Sequence, residues 1–300
     1  MNFINIFDHP ELAGRLPGAG AGDFRSGADY LMTQEMALAL SAASATQRPL
    51  LVTGPPGCGK SALARNAAAR LKWRYLERAI NSRTEITSLL WDVDHMRRLQ
   101  DAQAGKLDDD LLAYVRASVL WQALDPTSAA SPITLAEADV AAARLEPAVV
   151  LIDEIDKADP DLPNNLLEVL GGLRFEVADT GCRVTCRSGV PLIVITSNDE
   201  RDLPPAFVRR CISLTLTQPD LAAVARLHFP DQEPLIGEAL ALVREVPSVR
   251  GTPSVSAGEF LDFVQACKTL QIRAGSGNWR ALADACMLKG RSAPRAGRPS

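Results

Sequence analysis

The segment GPPGCGKS (54–61) constrains the fold more than any other part of the chain, because it combines three closely spaced glycines with a lysine and a hydroxyl residue. The apolar run PLLVT precedes it, and the helix-like pattern KSALARNAAARL begins within it. Glycines let the backbone turn sharply and aim several N–H groups at one anion, and a helix N-terminus adds its positive end. The segment therefore predicts a strand, a phosphate-binding loop and a helix in this order, within an α/β fold.

This loop is predicted to hold a nucleoside triphosphate. The Lys60 ammonium can reach the β- and γ-phosphates, and the Ser61 hydroxyl can ligate Mg²⁺. The strand before the loop and the helix after it make a chance match of the pattern a poor alternative. The predicted nucleotide-binding residues of the loop are Gly54, Pro55, Pro56, Gly57, Cys58, Gly59, Lys60, Ser61 and Ala62.

Four further short apolar runs lie at 73–80, 148–153, 191–198 and 211–217, and helix-like patterns separate most of them. Runs as apolar as these are typical of strands that are buried on both faces, and such strands form parallel sheets covered by helices. After Pro219 the strand signals stop, and the remaining periodic segments predict a helical subdomain.

Composition and charge exclude several classes of protein. With 300 residues, 47% hydrophobic and 23% charged, the chain is ordinarily globular and long enough for a sizeable core. The net charge of −4 provides no general attraction to nucleic acid. The first residues lack a signal-peptide pattern, and no apolar run approaches the roughly 18 residues of a membrane span. We therefore expect a soluble, cytoplasmic protein with no membrane partner.

The six cysteines are expected to be reduced, because the chain carries no export signal. Cys182 and Cys186 form the only close pair. With no second pair and no histidine nearby, a zinc site is disfavoured.

The run AVVLIDEIDKAD (148–159) places two carboxylates at the end of a predicted buried strand. Asp153 can hold Mg²⁺ directly or through water, and Glu154 can orient and polarise an attacking water. An acidic, solvated turn is the alternative interpretation, which the phosphate loop upstream disfavours. An adjacent Asp-Glu pair at this point indicates hydrolysis rather than transfer to an acceptor.

The run PLIVITSNDERDLPPAFVRRC (191–211) contains a third set of polar side chains. Asn198 follows a predicted strand, and its amide can hold the attacking water near the γ-phosphate. Arg209 and Arg210 follow a predicted short helix and precede the last strand. Taken alone, these two arginines would be interpreted as a solvated basic pair.

These three motifs, in this order, resemble those of AAA+ ATPases, and most closely those of the MoxR branch. The segment SRTEITSLLWDVDHMRRLQDAQ (82–103) is similar to a subgroup often encoded beside proteins with von Willebrand A-type domains, including bacterial conflict systems. The resemblance covers residues 28–217 strongly and the helical end weakly. It implies a five-stranded parallel sheet of order 5-1-4-3-2 with an α-helical lid, and it implies ATP and Mg²⁺ as ligands.

The resemblance also implies roles for individual residues. Lys60 and Ser61 belong to Walker A, Asp153 and Glu154 to Walker B, and Asn198 is sensor 1. Arg210 would be an arginine finger that reaches the γ-phosphate of a neighbouring subunit, with Arg209 as its substitute. Such a finger stabilises charge in the transition state and makes hydrolysis depend on assembly, here a homo-oligomeric ring expected to be a hexamer.

Three further residues are candidates for positions near the nucleotide. Related proteins have residues near adenine where Tyr30 lies, so Tyr30 is a candidate for stacking on the base, with simple packing as the alternative. No clean sensor 2 motif is found; Arg250 is the candidate and Arg280 its rival.

The expected domains are a lead-in at 1–28, a nucleotide-binding α/β subdomain at 29–217, a helical lid at 218–290 and a disordered tail at 291–300. Within the α/β subdomain, 33–45 is predicted to be a helix opened by Thr33, with Glu35 in its first turn. Residues 84–146 exceed the minimal fold; their two periodic stretches, TEITSLLWDVDHMRRLQ and DDDLLAYVRASVLWQAL, are expected to be helical and partly to form the insertion in helix 2. Residues 174–190 alternate like a β-hairpin before sensor 1.

Two classes of function remain open for such a chain. One is an ATP-hydrolysing ring that remodels or activates a client or regulator protein, which the resemblance suggests can carry a von Willebrand A domain. The other is an ATP-gated assembly switch with slow turnover. A DNA motor is disfavoured by the acidic balance and by the lack of a basic stripe with interleaved aromatic residues.

Overall fold

The structure is a computed structural model, and it describes residues 29–130, 147–178, 180–187, 189–244 and 255–288. The expected lead-in at 1–28 and tail at 291–300 lie outside the described residues, as do 131–146 of the predicted insertion.

The helices of the described residues are α1 (Gln34–Thr46), α2 (Lys60–Leu71), α3 (Ile86–Leu90), α4 (His95–Gln103), α5 (Val119–Leu124), α6 (Pro126–Ala129), α7 (Asp161–Gly172), α8 (Pro205–Arg210), α9 (Leu221–His228), α10 (Glu233–Arg244), α11 (Ala257–Leu270) and α12 (Gly277–Ala283). Single 3₁₀ turns span Leu111–Tyr114 and Ile155–Lys157, and a π-helical turn spans Asp284–Leu288.

The strands belong to one large sheet and two short ribbons. They are β1 (Leu50–Thr53), β2 (Arg74–Ala79), β3 (Trp91–Val93), β4 (Val115–Ala117), β5 (Ala148–Asp153), β6 (Arg174–Glu176), β7 (Arg183–Thr185), β8 (Leu192–Ser197) and β9 (Ile212–Thr215). The large sheet is parallel and has the order β2-β5-β8-β1-β9. Counted within this sheet alone, the strands read 5-1-4-3-2 from β9 to β2, so the expected fold class is confirmed.

The apolar composition of the central strands explains why they lie in the middle of the sheet. Every residue of β8 is buried, and so is every residue of β5 except its last. Strands in which apolar and polar residues alternate can leave one face of a sheet in water, whereas these uniformly apolar strands need helices on both faces. The edge strand β2 is half-exposed and carries the charged sequence RYLERA, as suits a strand with only one neighbour.

The first helix begins as the sequence predicts. The Thr33 hydroxyl accepts from the Met36 N–H, and Glu35 lies in the first turn. A side-chain oxygen at this position satisfies one of the N–H groups that a helix leaves unpaired at its start.

The prediction that the two stretches 84–100 and 108–124 are helical is only partly right, because each contains helical residues and a short strand. The two strands, β3 and β4, pair antiparallel with Trp91 opposite Ala117 and Val93 opposite Val115. The reason lies outside the two stretches, because the Trp91 ring stacks on Phe175 with centroids 5.7 Å apart. Packing of an aromatic residue on a neighbouring strand outweighs a weak local preference for helix.

The predicted hairpin before β8 is present, since β6 and β7 pair antiparallel with Phe175 opposite Val184. Phe175 is the centre of an aromatic cluster that also contains Trp91 and the buried Trp121, whose ring meets Phe175 edge-on at 5.9 Å. Both tryptophans of the insertion therefore pack in the protein, as expected of core residues.

The chain divides into two compact units. One contains residues 32–53 and 67–215, and its core is formed by the large sheet, the two ribbons and their helices. The other contains 1–31, 54–66 and 216–300; its core is formed by α9–α12, where Phe263 packs edge-on against Trp279 with centroids 4.8 Å apart. Among the residues that the structure describes, no helix is both long and apolar enough to span a membrane.

Candidate functional site: phosphate loop and carboxylate centre

The glycine-rich loop begins where β1 ends and has the backbone that its sequence predicts. Gly54, Gly57 and Gly59 have φ angles of 140°, 74° and 95°. Residues with a Cβ rarely adopt such angles, so the loop requires glycine at these positions. A cradle of this kind suits the phosphates of a nucleotide, because backbone N–H groups can converge on an anion there.

Lys60 supplies the positive charge of this loop. Its side chain is 7% exposed, and Nζ donates to the carbonyl oxygens of Gly54 at 2.7 Å and Pro55 at 3.0 Å. An ammonium has three donors, so these two contacts hold the charge over the loop and leave one donor for a phosphate oxygen. Ser61 and Ala62 follow in the first turn of α2.

Two uncharged groups line the loop beside Lys60. A Cβ added at Gly59 would lie 3.2 Å from Tyr30 Cε2, so the tyrosine ring packs directly on the loop. Burial raises the pKa of the Tyr30 phenol, and the neighbouring Cys58 raises it further. Burial also raises the pKa of the Cys58 thiol, although the Lys60 charge opposes this shift. Because both groups stay neutral near pH 7, neither cancels the charge of Lys60.

Ser256 also touches the loop, and sequence reasoning missed it. A Cβ added at Gly57 would lie 2.3 Å from the Ser256 Cβ and 3.1 Å from its Oγ. Ser256 is the N-cap of α11, where its hydroxyl accepts from the Glu259 N–H and Glu259 binds back to the Ser256 N–H. The pattern S-x-x-E before an apolar run is the signature of such a cap, so the helix start was visible in the sequence although its contact was not.

The carboxylate centre lies at the carboxyl ends of β5 and β8. The Thr196 hydroxyl of β8 donates to Asp153 Oδ1 and accepts from the Glu154 N–H at 2.9 Å. This buried hydroxyl therefore ties Asp153, the last residue of β5, and Glu154, which follows it, to the neighbouring strand. Thr196 was not predicted as a site residue, since a threonine within an apolar strand is ordinary in the sequence.

Glu154 and Asn198 meet at this centre, as the order of their strands predicts. Asn198 Nδ2 donates to Glu154 Oε1 at 3.2 Å, and Lys157 Nζ lies 2.6 Å from Glu154 Oε2. Glu154 has a left-handed backbone with φ 62° and ψ 50°. Such a conformation is costly for a non-glycine residue and is typical of functional sites.

Asp156 fixes the backbone of the segment that carries Asn198. Its carboxylate is 3% exposed and accepts from the N–H groups of Asn198, at 3.3 Å to each oxygen, and of Glu200 at 3.1 Å. Both oxygens are thus engaged by backbone donors, which suits a structural support of Asn198 better than a role as a base.

Arg209 and Arg210 end helix α8, just before β9. Both side chains are exposed, and within the described ranges neither guanidinium has a hydrogen bond or ion pair with another side chain. The buried Phe207 anchors the same helix. The two candidate fingers therefore point away from the core that holds their helix.

The two candidates for sensor 2 remain predictions. Arg250 lies outside the described residues, and Arg280 is an exposed residue of α12. The predicted metal ligands Ser61 and Asp153 belong to different compact units. Across the described part of the chain there is no cluster of three or more His, Cys, Asp or Glu side chains that resembles a metal site. A hydroxyl and one carboxylate fit Mg²⁺, which keeps several water ligands and binds substrate phosphates.

The sequence of residues 49–211 matches the AAA domain of the dynein-related subfamily. This match covers more than half of the chain and contains the phosphate loop, the carboxylate centre and both candidate fingers. The chain therefore belongs to the AAA family, dynein-related subfamily. No curated protein matches the sequence significantly.

Solved structures with similar folds include NtrX from Brucella abortus in complex with ATP, at 14% identity with a TM-score of 0.48, covering 90% of this chain and 58% of that one. The same protein in complex with ADP has 15% identity and a TM-score of 0.45, and the match covers 90% of this chain and 58% of that one. A candidate ATPase from Cytophaga hutchinsonii has 13% identity and a TM-score of 0.40, and the match covers 77% of this chain and 56% of that one. The chain thus spans just over half the length of the solved chains it matches.

Proposed function

We propose that this protein is a MoxR-like AAA+ ATPase that hydrolyses ATP with Mg²⁺ in an oligomeric ring and thereby remodels or activates a partner protein. The observation that carries the proposal is the contact between Glu154 and Asn198 beside Asp153. A carboxylate and an amide at adjacent strand ends can hold one water between them, and hydrolysis of a phosphoanhydride needs such a water.

Each residue has a separate task in this proposal. Lys60 and the loop N–H groups bind the phosphates, while Ser61 and Asp153 hold Mg²⁺, which neutralises phosphate charge when it is bound. Glu154 accepts the proton of the attacking water, and Asn198 orients that water. Tyr30 packs near the base, with Arg250 or Arg280 as the lid residue that senses the nucleotide.

Arg210 acts on a neighbouring subunit in this proposal, with Arg209 as its substitute. The exposed ends of both side chains and their position beside the edge strand β9 support donation to a second copy. An arginine that reaches a γ-phosphate stabilises the charge of the transition state, so turnover depends on assembly. A hexameric, cytoplasmic ring acting on a client with a von Willebrand A domain is the form that the MoxR resemblance suggests. The proposed domains are an α/β subdomain at 29–217 and a lid at 218–290.

An ATP-gated assembly switch with slow turnover is the second candidate, and one contact favours it. Lys157 lies 2.6 Å from the Glu154 carboxylate. The ammonium occupies one of the two Glu154 oxygens that could accept from an attacking water, which suits a protein that holds ATP for long periods.

Binding and turnover measured on matched variants test the proposal. Lys60→Ala should lower ATP affinity by about 10- to 100-fold, since hydrogen bonds to charged groups are worth about 1.5–3 kcal/mol. Unchanged affinity for ATP in this variant would remove the phosphate loop from the proposal.

Glu154→Gln should bind ATP as the wild type does and lose turnover by about 10²–10⁴-fold, the usual contribution of a general base. Turnover within twofold of wild type would require another base. Turnover stimulated by a partner, together with displacement of that partner, distinguishes the motor from the switch.

A further inference from the structure

Arg48 makes the most extensive side-chain to backbone contact recorded beside the candidate fingers. Its guanidinium donates to three successive carbonyl oxygens: those of Arg209, Arg210 at 2.9 Å and Cys211 at 3.1 Å. These carbonyls belong to the end of α8 and the residue that follows it. The last carbonyls of a helix have no partner within the helix, so Arg48 satisfies groups that would otherwise depend on water.

Backbone hydrogen bonds next to Arg48 join the same two segments. Arg48 precedes β1, and the Ile212 N–H donates to the Pro49 carbonyl at 2.8 Å. The β1–β9 ladder continues from there with Leu50 opposite Ile212. The side-chain hydrogen bonds of Arg48 therefore continue the contact between the β1 and β9 segments over the three residues before β9, as far as the end of α8. A planar guanidinium with several donors in a fixed fork can span successive carbonyls, which an ammonium cannot do.

Charge at this turn points to a task other than stability. Arg48 adds a third guanidinium to a segment where Arg209 and Arg210 are already adjacent and exposed. Like charges this close repel each other, and the negative end of the short helix α8 offsets only part of that cost. A turn that concentrates positive charge and directs two of its guanidinium groups outward is suited to an anionic ligand outside the core.

We propose that Arg48 is the positioning residue of the finger: it fixes the backbone of Arg209 and Arg210, and so directs the Arg210 side chain at the nucleotide of a neighbouring copy. This inference rests on the proposed function, in which Arg210 acts in trans. Arg48 itself touches no nucleotide. Its loss should therefore impair the site of the neighbour and leave the subunit's own site intact.

Arg48→Met removes every donor but keeps much of the apolar stem. We expect it to bind ATP within about twofold of wild type and to lose turnover by at least tenfold, because small displacements of a catalytic group cost about that much or more. Arg48→Lys keeps the positive charge but loses the planar guanidinium, so its turnover should lie between those of the wild type and Arg48→Met. Arg226→Met is the matched control, since it removes an exposed arginine that is paired with Glu233 on helices outside the fingers, and it should turn over as wild type does.

Mixed oligomers give the decisive test. Lys60→Ala subunits bind ATP weakly but keep their finger. At an ATP concentration that leaves their own sites empty, mixing them with Arg48→Met subunits should restore activity, as mixing them with Arg210→Ala should. Arg48→Met mixed with Arg210→Ala should stay inactive, because neither variant supplies a correctly placed finger.

The opposite pattern overturns the inference. If Arg48→Met damaged its own nucleotide site, it would rescue Arg210→Ala and would not be rescued by Lys60→Ala. Wild-type turnover in Arg48→Met would also overturn it. If Lys60→Ala fails to rescue Arg210→Ala, the ring with a finger in trans fails instead, which is the separate failure of the proposed function. Should Arg48→Met not fold, Arg48→Lys is carried through the same mixtures with the same two readings.

Discussion

Glu154 is held from two sides, by the Asn198 amide at 3.2 Å and by the Lys157 ammonium at 2.6 Å. The hydrogen bond that Lys157 donates to Glu154 is the main reason that the pKa of Lys157 is raised, so this ammonium stays charged well above neutral pH. This ammonium occupies Glu154 Oε2, which leaves one oxygen fewer to accept the proton of an attacking water. A single lysine thus opposes the base that the proposed hydrolysis needs.

Lys157→Met should therefore raise basal ATP turnover. The two side chains are 41% and 34% exposed, and ion pairs that solvent reaches are worth at most about 1 kcal/mol. The expected increase is accordingly no more than about fivefold, measured as steady-state phosphate release at saturating ATP. Lys106→Met, which changes an exposed lysine in the loop after α4, is the control and should not alter the rate. A drop in turnover would mean that Lys157 supports the reaction instead of restraining it.

At the scale of elements, helix α11 starts at the phosphate loop, because its N-cap Ser256 packs on Gly57. The Ser256 hydroxyl lies beside Gly57 of the loop, and it also accepts from the Glu259 N–H in the first turn of the helix. The proposed nucleotide contacts at Gly57 and the start of this helix would thus be linked through the Ser256 side chain.

Ser256→Ala should lower the stability of the helical unit by about 1 kcal/mol, the usual cost of losing an N-cap hydroxyl. Chemical unfolding followed by far-UV circular dichroism measures this change. Ser276→Ala is the matched control, since Ser276 is the N-cap of α12 but makes no capping bond with its side chain. Equal losses in both variants would show that the capping bond of Ser256 is not the cause.

At the scale of the whole molecule, the proposed ring makes activity a property of the assembly. Arg209 and Arg210 lie beside β9, which is an edge of the large sheet. Specific activity should therefore rise with protein concentration until the ring is complete. A flat dependence across a range where the oligomeric state changes would refute the ring.

Arg210→Ala should keep ATP affinity and lose turnover. Arginine fingers in GTPase systems are worth about 10³–10⁵-fold, and the loss here is expected to be smaller if Arg209 substitutes. Arg209→Ala and the double variant, assayed beside it, separate the two residues. Full turnover in the double variant would exclude both as fingers.

The order of the motifs and the apolar strands could be predicted from the sequence because both depend on local chemistry. Three glycines with positive φ, a lysine and a hydroxyl residue can be recognised within eight positions, and β5 and β8 are apolar along almost their whole length. The parallel sheet then follows from burial on both faces. Asp153, Glu154 and Asn198 come together because the carboxyl ends of parallel strands share one edge.

Tertiary structure alone decided the features that depend on distant partners. The β3–β4 ribbon replaces a predicted helix because Trp91 packs on Phe175, 84 residues away along the chain by their numbering. Three residues look ordinary in the sequence and gain their contacts only when strands from separate regions pair: Thr196, Asp156 and Arg48. The sequence by itself determined which side chains can carry the chemistry, since that depends on residue type and spacing. The fold decided which side chains hold them in place, since that depends on packing between segments far apart in the chain.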